Sequence, residues 1–149
     1  MNLTIDDFSN DNLIYRGQVR KRFSFDGKDI FKIDNGTFYR KTDWNFIPPM
    51  GFFPNIQIHN IRGVLILIYV DSRQYYQVEQ VKVIESETAN PFDGFEPNKI
   101  YELKNGQKWK QFGGPNAPNH HSTGHVIIID EKLKVDDWDF YPNVSKVFN

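Results

Sequence analysis

The chain has 149 residues, 39% of them apolar and 25% charged, with a formal net charge of −1. That is the make-up of a globular protein of one ordinary domain or two small ones, without the strong field that would draw the whole molecule to nucleic acid or an anionic membrane. It has no Cys, which excludes a disulfide framework and any thiolate site. Thirteen Phe and seven Tyr beside two Met favour strands, because aromatic rings suit a pleated, half-buried surface.

Taken in chain order, residues 1–13 (MNLTIDDFSNDNL) form an acidic tail with no continuous apolar run, so they are not a signal peptide. Leu3, Phe8 and Leu13 fit a short helix or an irregular cap. Tyr15–Phe23 alternates loosely through Tyr15, Gly17 and Val19 and meets a turn at Phe25-Asp26-Gly27. Ile30–Lys41 alternates at Phe31, Ile33 and Tyr39 around Asn35-Gly36, which predicts either a tight hairpin turn or a bulge in one long bent strand. Asn55–Asn60 alternates through Ile56 and Ile58 and turns at Asn60–Gly63. Val64–Val70 (VLILIYV) is apolar throughout, which predicts a strand buried on both faces. It is far shorter than the roughly 20 residues of a membrane-spanning helix. Asp71-Ser72-Arg73 then turns the chain into Tyr76–Val83.

The second half repeats this grammar in Val81–Glu85, Lys99–Gln111, His125–Asp130, Lys132–Asp136 and Asn143–Phe148. FKIDNGTFYRK at 31–41 is echoed by YELKNGQKWKQ at 101–111, an offset of 70. Ile56–Ile58 matches Val126–Ile128 at the same offset. Val78–Val81 matches Val144–Val147 at 66, and Phe25-Asp26-Gly27 matches Phe92-Asp93-Gly94 at 67. The sequence thus predicts a tail (1–13) and two copies of one unit (14–82 and 83–149). A single segment, Tyr76–Glu85, is expected to close the first copy and open the second.

Five short strands per copy point to an all-β chain of two tandem five-stranded barrels packed as one unit. The loop pattern resembles the SH3-like order: a modest first loop, a long second one, a tight third hairpin and a short fourth turn. Leu103-Lys104-Asn105-Gly106-Gln107-Lys108-Trp109 resembles the leucine-x-asparagine-glycine-glutamine-x-tryptophan segment of small bacterial SH3-like domains. The first copy departs from it, with Ile33-Asp34-Asn35-Gly36-Thr37-Phe38-Tyr39. The resemblance implies a cytoplasmic bacterial interaction module without a cofactor, its ligand groove flanked by the loop after the second strand.

That loop, Thr42–Pro54, carries Trp44, Phe46, Ile47, Pro48, Pro49, Met50, Phe52, Phe53 and Pro54. It is either inter-domain core or a docking surface for a protein or peptide. Phe46 and Phe53 are expected to pack and Trp44 and Phe52 to be exposed, with Tyr39 and Trp109 in the barrel wall. A second candidate is nucleic acid held by Arg16, Arg20, Arg22 and Arg40 beside the aromatics. A third is a metal on His120, His121 and His125 of the loop Phe112–Gly124, with Asp130 as fourth ligand. His59 stands alone in a strand and reads as structural or exposed. Asp136, Asp137 and Asp139 around Trp138, and Glu85 and Glu87, lie in turn-like sequence without the cleft that acid–base catalysis needs. No nucleophile elbow or phosphate loop is present, so the chain is not expected to be an enzyme.

Overall fold

Every pairing between the described strands is antiparallel. The structure, a computed structural model, describes residues 2–48 and 51–148. The chain divides into two units, Met1–Val81 and Lys82–Asn149. Apart from a 3-10 turn at Ile5–Asp7, the described residues form strands and connections. No helix among them is long and apolar enough to cross a membrane.

The first unit is a closed six-stranded barrel. Its strands are β1 (Leu13–Phe25), β2 (Lys28–Ile33), β3 (Phe38–Lys41), β4 (Asn55–Ile61), β5 (Val64–Tyr69) and β6 (Tyr75–Val81). Two three-stranded meanders, β1–β2–β3 and β4–β5–β6, are sewn together where β3 pairs with β6 and β1 with β4. β1 serves two neighbours in turn. Its first half lies on β4, and after an irregularity between Val19 and Lys21 its second half lies on β2. Phe31, Ile33, Ile56, Ile58, Leu67 and Tyr76 fill the interior, each burial worth about 1.5–3 kcal/mol. The N-terminal tail is pinned to this barrel at His59, which is buried. Its Nδ1 is 2.5 Å from Asn12 Oδ1, its Nε2 is 2.9 Å from Gln57 Oε1, and Phe8 stands edge-on to the ring at 5.2 Å. Burial holds the imidazole pKa below its ordinary value.

The second unit holds β7 (Ile84–Glu87), β8 (Phe92–Phe95), β9 (Ile100–Glu102), β10 (Lys108–Phe112), β11 (Ala117–Ser122), β12 (His125–Ile129), β13 (Lys132–Val135) and β14 (Asn143–Val147). Six of them form a sheet in the order β7-β12-β13-β14-β10-β9, and β8 and β11 form a separate pair. A single bridge between Thr88 and Leu103 joins the ends of the two outer strands. Phe92, Phe95, Tyr101, Leu103, Trp109 and Leu133 form its core.

Four expectations from the sequence are corrected here. The barrel has six strands rather than five, because Asn35-Gly36 makes a hairpin and splits Ile30–Lys41 into β2 and β3. Gly36 has φ 88° and Gly106 φ 87°, a region glycine enters without steric cost. Each turn closes with the same bonds. Ile33 N–H donates to Thr37 O and Leu103 N–H to Gln107 O, both at 2.9 Å. Asn35 Oδ1 and Asn105 Oδ1 each accept a backbone N–H two residues on, both at 3.0 Å.

Secondly, Tyr76–Glu85 is not one strand. β6 ends at Val81, Lys82 and Val83 are unpaired with any strand, and β7 starts at Ile84. Thirdly, Phe92-Asp93-Gly94 is strand β8 rather than a turn equivalent to Phe25-Asp26-Gly27. A Cβ at Gly94 would lie 2.6 Å from Ala117 O and 2.8 Å from Pro118 Cα, so this glycine serves the close approach of β11. Fourthly, the stretch Phe112–Gly124 contains β11 and is not wholly a loop.

Candidate binding site

The connection from β3 to β4 begins with a rigid stem. Thr42 N–H donates to Gln77 O at 2.9 Å, carrying the β3–β6 ladder one residue past the strand. The buried Lys41 ammonium lies 3.0 Å from Asp43 Oδ1 and donates to Asp43 O at 2.6 Å. Asp43 Oδ2 accepts Gln77 N–H at 2.7 Å, and its other oxygen accepts Asn45 N–H at 3.1 Å. This carboxylate and the ammonium satisfy one another, as a buried pair must. Ile47 then drops into the barrel core. The Tyr76 hydroxyl lies 3.4 Å from Phe46 O and 3.2 Å from Gln74 Oε1, and burial pushes its pKa up to about 12.

Between these anchors the large rings point outward. Trp44 is 100% exposed and Phe46 80%. Phe46 was expected to pack, but Ile47 takes the core position, and adjacent side chains on extended backbone point apart. Further along, Phe52 is 98% exposed, and Phe53, also expected to pack, is 50% exposed. Phe53 has φ 51°, a strained conformation for a bulky residue. The Arg20 guanidinium sits 5.2 Å from its ring centroid, and Pro54 O accepts Val19 N–H at 3.1 Å. Pro49 and Met50 lie outside the described residues.

Two clefts flank this loop. One, of about 540 Å³, runs between the β1–β2 turn and Trp44–Ile47, with Arg22 and Lys28 beside Asp26 and Asp29. The other, of about 330 Å³, lies between Arg20, Lys21 and Arg22 of β1 and Phe52 and Phe53, and no carboxylate is among its described lining residues. Tyr69 forms part of its wall. Burial pushes the Tyr69 hydroxyl pKa up, and the nearby Arg22 charge pulls the other way.

The other residues singled out in the sequence fall elsewhere. Tyr39 and Trp109 are buried core rings of their units, and Trp109 Nε1–H donates to Gln107 Oε1 at 3.1 Å. Of the four arginines, Arg20 and Arg22 reach the aromatic loop. Arg16 donates to Asn10 Oδ1 at 2.8 Å, and Arg40 pairs with Glu79, donating from Nε at 2.8 Å.

The histidines do not converge. His120 and His121 are neighbours on β11, so their rings point to opposite faces. The His120 ring packs edge-on against Trp138 at 4.9 Å and Phe140 at 5.6 Å. Asp130 lies in the β12–β13 turn, at the far end of β12 from His125. Among the described residues no group of three or more His, Cys, Asp or Glu is placed to hold a metal.

Asp136 is a structural acceptor. Burial alone would raise its pKa, but bonds from Ser122, Thr123 and the backbone of Gly124 and His125 outweigh that and hold it low. It fastens the β11–β12 connection, with Thr123 Oγ1 donating at 2.9 Å. Neither that role nor the part of Asp43 in fixing the loop stem was legible in the sequence, since Asp136 needs Thr123 and Gly124 and Asp43 needs Gln77, all distant in the chain. Compared with protein-family models, with curated proteins and with solved structures, the chain matches none.

Proposed function

We propose that this chain is a non-enzymatic binding protein whose first unit holds an extended segment of a partner protein against the loop 42–54. The observation that carries this reading is the full exposure of Trp44 and Phe52 on a loop whose stem is clamped by Lys41, Asp43 and Ile47. A large apolar ring held in water is an unfavourable surface for a protein to maintain without a partner, and such patches mark interaction sites. Trp is the side chain most often found at the energetic centre of an interface. A pre-fixed stem lowers the entropy lost on docking. Selection from a random peptide library tests the idea. The intact chain should enrich a sequence class that Trp44→Ala and Phe52→Ala variants, with unchanged melting temperatures, fail to enrich. Equal enrichment on wild type and variants would remove the loop from the function.

A second reading has its own support. The cleft lined by Arg20, Lys21 and Arg22 with Phe52 and Phe53 combines cations and flat rings without an opposing carboxylate, the chemistry that suits single-stranded nucleic acid. Oligonucleotide binding that weakens with salt and with Arg20→Ala would favour it over the peptide reading.

We further read the two units as copies of one small barrel of the SH3-like class, in a protein of the bacterial cytoplasm. Register supports the repeat. Phe38 faces Val81 as Lys108 faces Val147, and Lys41 faces Val78 as Gln111 faces Val144. Val19 N–H donates to Pro54 O as Thr88 N–H donates to Gly124 O, and Asp34 N–H donates to Gln18 O as Lys104 N–H donates to Glu87 O. The SH3-like assignment itself rests on the loop pattern and on the segment Leu103–Trp109.

A further inference from the structure

The two units part company at one point. In the first, β1 continues past Val19 and covers the outer edge of β2, with Lys21 facing Lys32, Arg22 facing Phe31 and Phe23 facing Ile30. In the second, Thr88 bridges Leu103 as Val19 faces Ile33, and Ala89 N–H donates to Glu102 O at 2.8 Å. The chain then leaves β9 and pairs with β11 as β8. Beyond Ala89 no described strand lies along the outer edge of β9. Ile100 is 51% exposed where its counterpart Ile30 is 0%.

Between β9 and the departing segment lies a cleft of about 430 Å³, lined by Asn90, Phe92, Asp93, Ile100, Glu102 and Lys108 among others. Its far wall is fixed. Lys99 Nζ donates to Asp93 Oδ1 at 2.5 Å and to Gly94 O at 2.9 Å, above the rings of Phe92 and Tyr101. On its inner side β9 bonds to β10 through alternate residues, with Leu103 N–H donating to Gln107 O and Gln111 N–H to Lys99 O. In an antiparallel ladder the intervening residue, Ile100, turns its N–H and C=O to the other edge.

We infer that this open edge is a docking site for an extended segment of a partner protein, which adds to β9 as an antiparallel strand in the place that Lys21–Phe23 takes in the first unit. The inference rests on the equivalence of the two units, not on the role of the loop 42–54. Strand addition supplies backbone bonds for affinity and alternate side-chain positions for specificity. The first unit shows what those positions accept. An aromatic ring faces Ile100, as Phe23 faces Ile30. The residue two before it lies beside Glu102, whose outer carbonyl already accepts Ala89 N–H but whose carboxylate is exposed, with Lys108 across on β10, so at that place only side-chain charge is read. A basic residue suits that place better than it suits Lys32, the counterpart in the first unit. The partner segment is therefore extended and carries a basic residue two positions before an aromatic one.

The probe is a synthetic peptide with the sequence of residues 18–26, QVRKRFSFD, titrated into the full chain and followed by backbone amide shifts. Saturable shifts centred on Ile100 and Glu102 are expected. Glu102→Lys, an exposed substitution, should weaken binding about tenfold, and Ile100→Asp should abolish it. A peptide with serine in place of both phenylalanines should not bind, while Trp44→Ala should leave binding unchanged, which keeps this site separate from the loop 42–54. Shifts confined to residues outside the second unit, equal affinity in Glu102→Lys, or no binding at about 1 mM peptide would each overturn the proposal. Self-association of the chain that Ile100→Asp abolishes would overturn the choice of a foreign segment in favour of a second copy.

Discussion

Ile30 and Ile100 stand at the same place beside the same kind of Asn-Gly hairpin, yet one is sealed and the other half open. The turns around them share the same backbone bonds and the same Asn side-chain bond to the backbone. What differs is the next neighbour: β1 runs on to cover Ile30, while the chain after Ala89 departs to make β8. The connections from β3 to β4 and from β10 to β12 differ in the same way. The first holds Trp44 and Phe52 out in water. The second becomes a strand whose His120 leans on Trp138 and Phe140. A hairpin is fixed by the few residues in its turn, whereas the cover over a strand depends on where a distant segment goes.

The largest expected effect tests that contrast directly. Ile30→Ala should cost about 2–4 kcal/mol, because a sealed site loses both transfer energy and packing. Ile100→Ala should cost less than about 1 kcal/mol, as at a site already in contact with water. Urea denaturation of the full chain measures both, and equal losses would break the comparison. A smaller and symmetric effect is expected at the turns. Chain neighbours aside, no atom of the described residues lies within 4 Å of a Cβ built at Gly36 or at Gly106, so Gly36→Val and Gly106→Val should each cost about 1–3 kcal/mol through backbone strain alone. Thermal melts that differ widely between the two variants would show that the hairpins are not equivalent.

The smallest effect sharpens the comparison in the opposite sense. Thr88 stands where the first unit has Val19, and its Oγ1 is buried without a hydrogen-bond partner among the described residues. Val keeps the shape and removes the unpaired hydroxyl, so Thr88→Val should stabilise the chain by about 1 kcal/mol. The reverse change, Val19→Thr, should destabilise. A fall in melting temperature for Thr88→Val would mean that the hydroxyl has a partner and that the two positions are not alike.

The sequence by itself determined the all-β class, most of the strands and the places of both Asn-Gly breaks, because each depends on residues a few positions apart; that each break is a hairpin and not a bulge was settled by the strand pairing. Alternation sets which face of a strand is apolar, and Gly after Asn supplies the positive φ at the end of the three-residue loops 34–36 and 104–106. The blocks Val78–Val81 and Val144–Val147, matched in sequence at an offset of 66, both fall in strands, β6 and β14; which strands they pair with was not legible. Tertiary structure alone decided the rest. Phe92-Asp93-Gly94 has the local chemistry of a turn and becomes a strand because Gly94 lets β11 approach closely. Ile47 rather than Phe46 enters the core because the stem of its loop is held by Lys41 and Asp43, whose oxygens reach across to β6. Thr88, Ile100 and His120 acquire their character from segments far away in the chain. Local backbone preference acts over a few residues, but burial is a property of the neighbours that folding brings in.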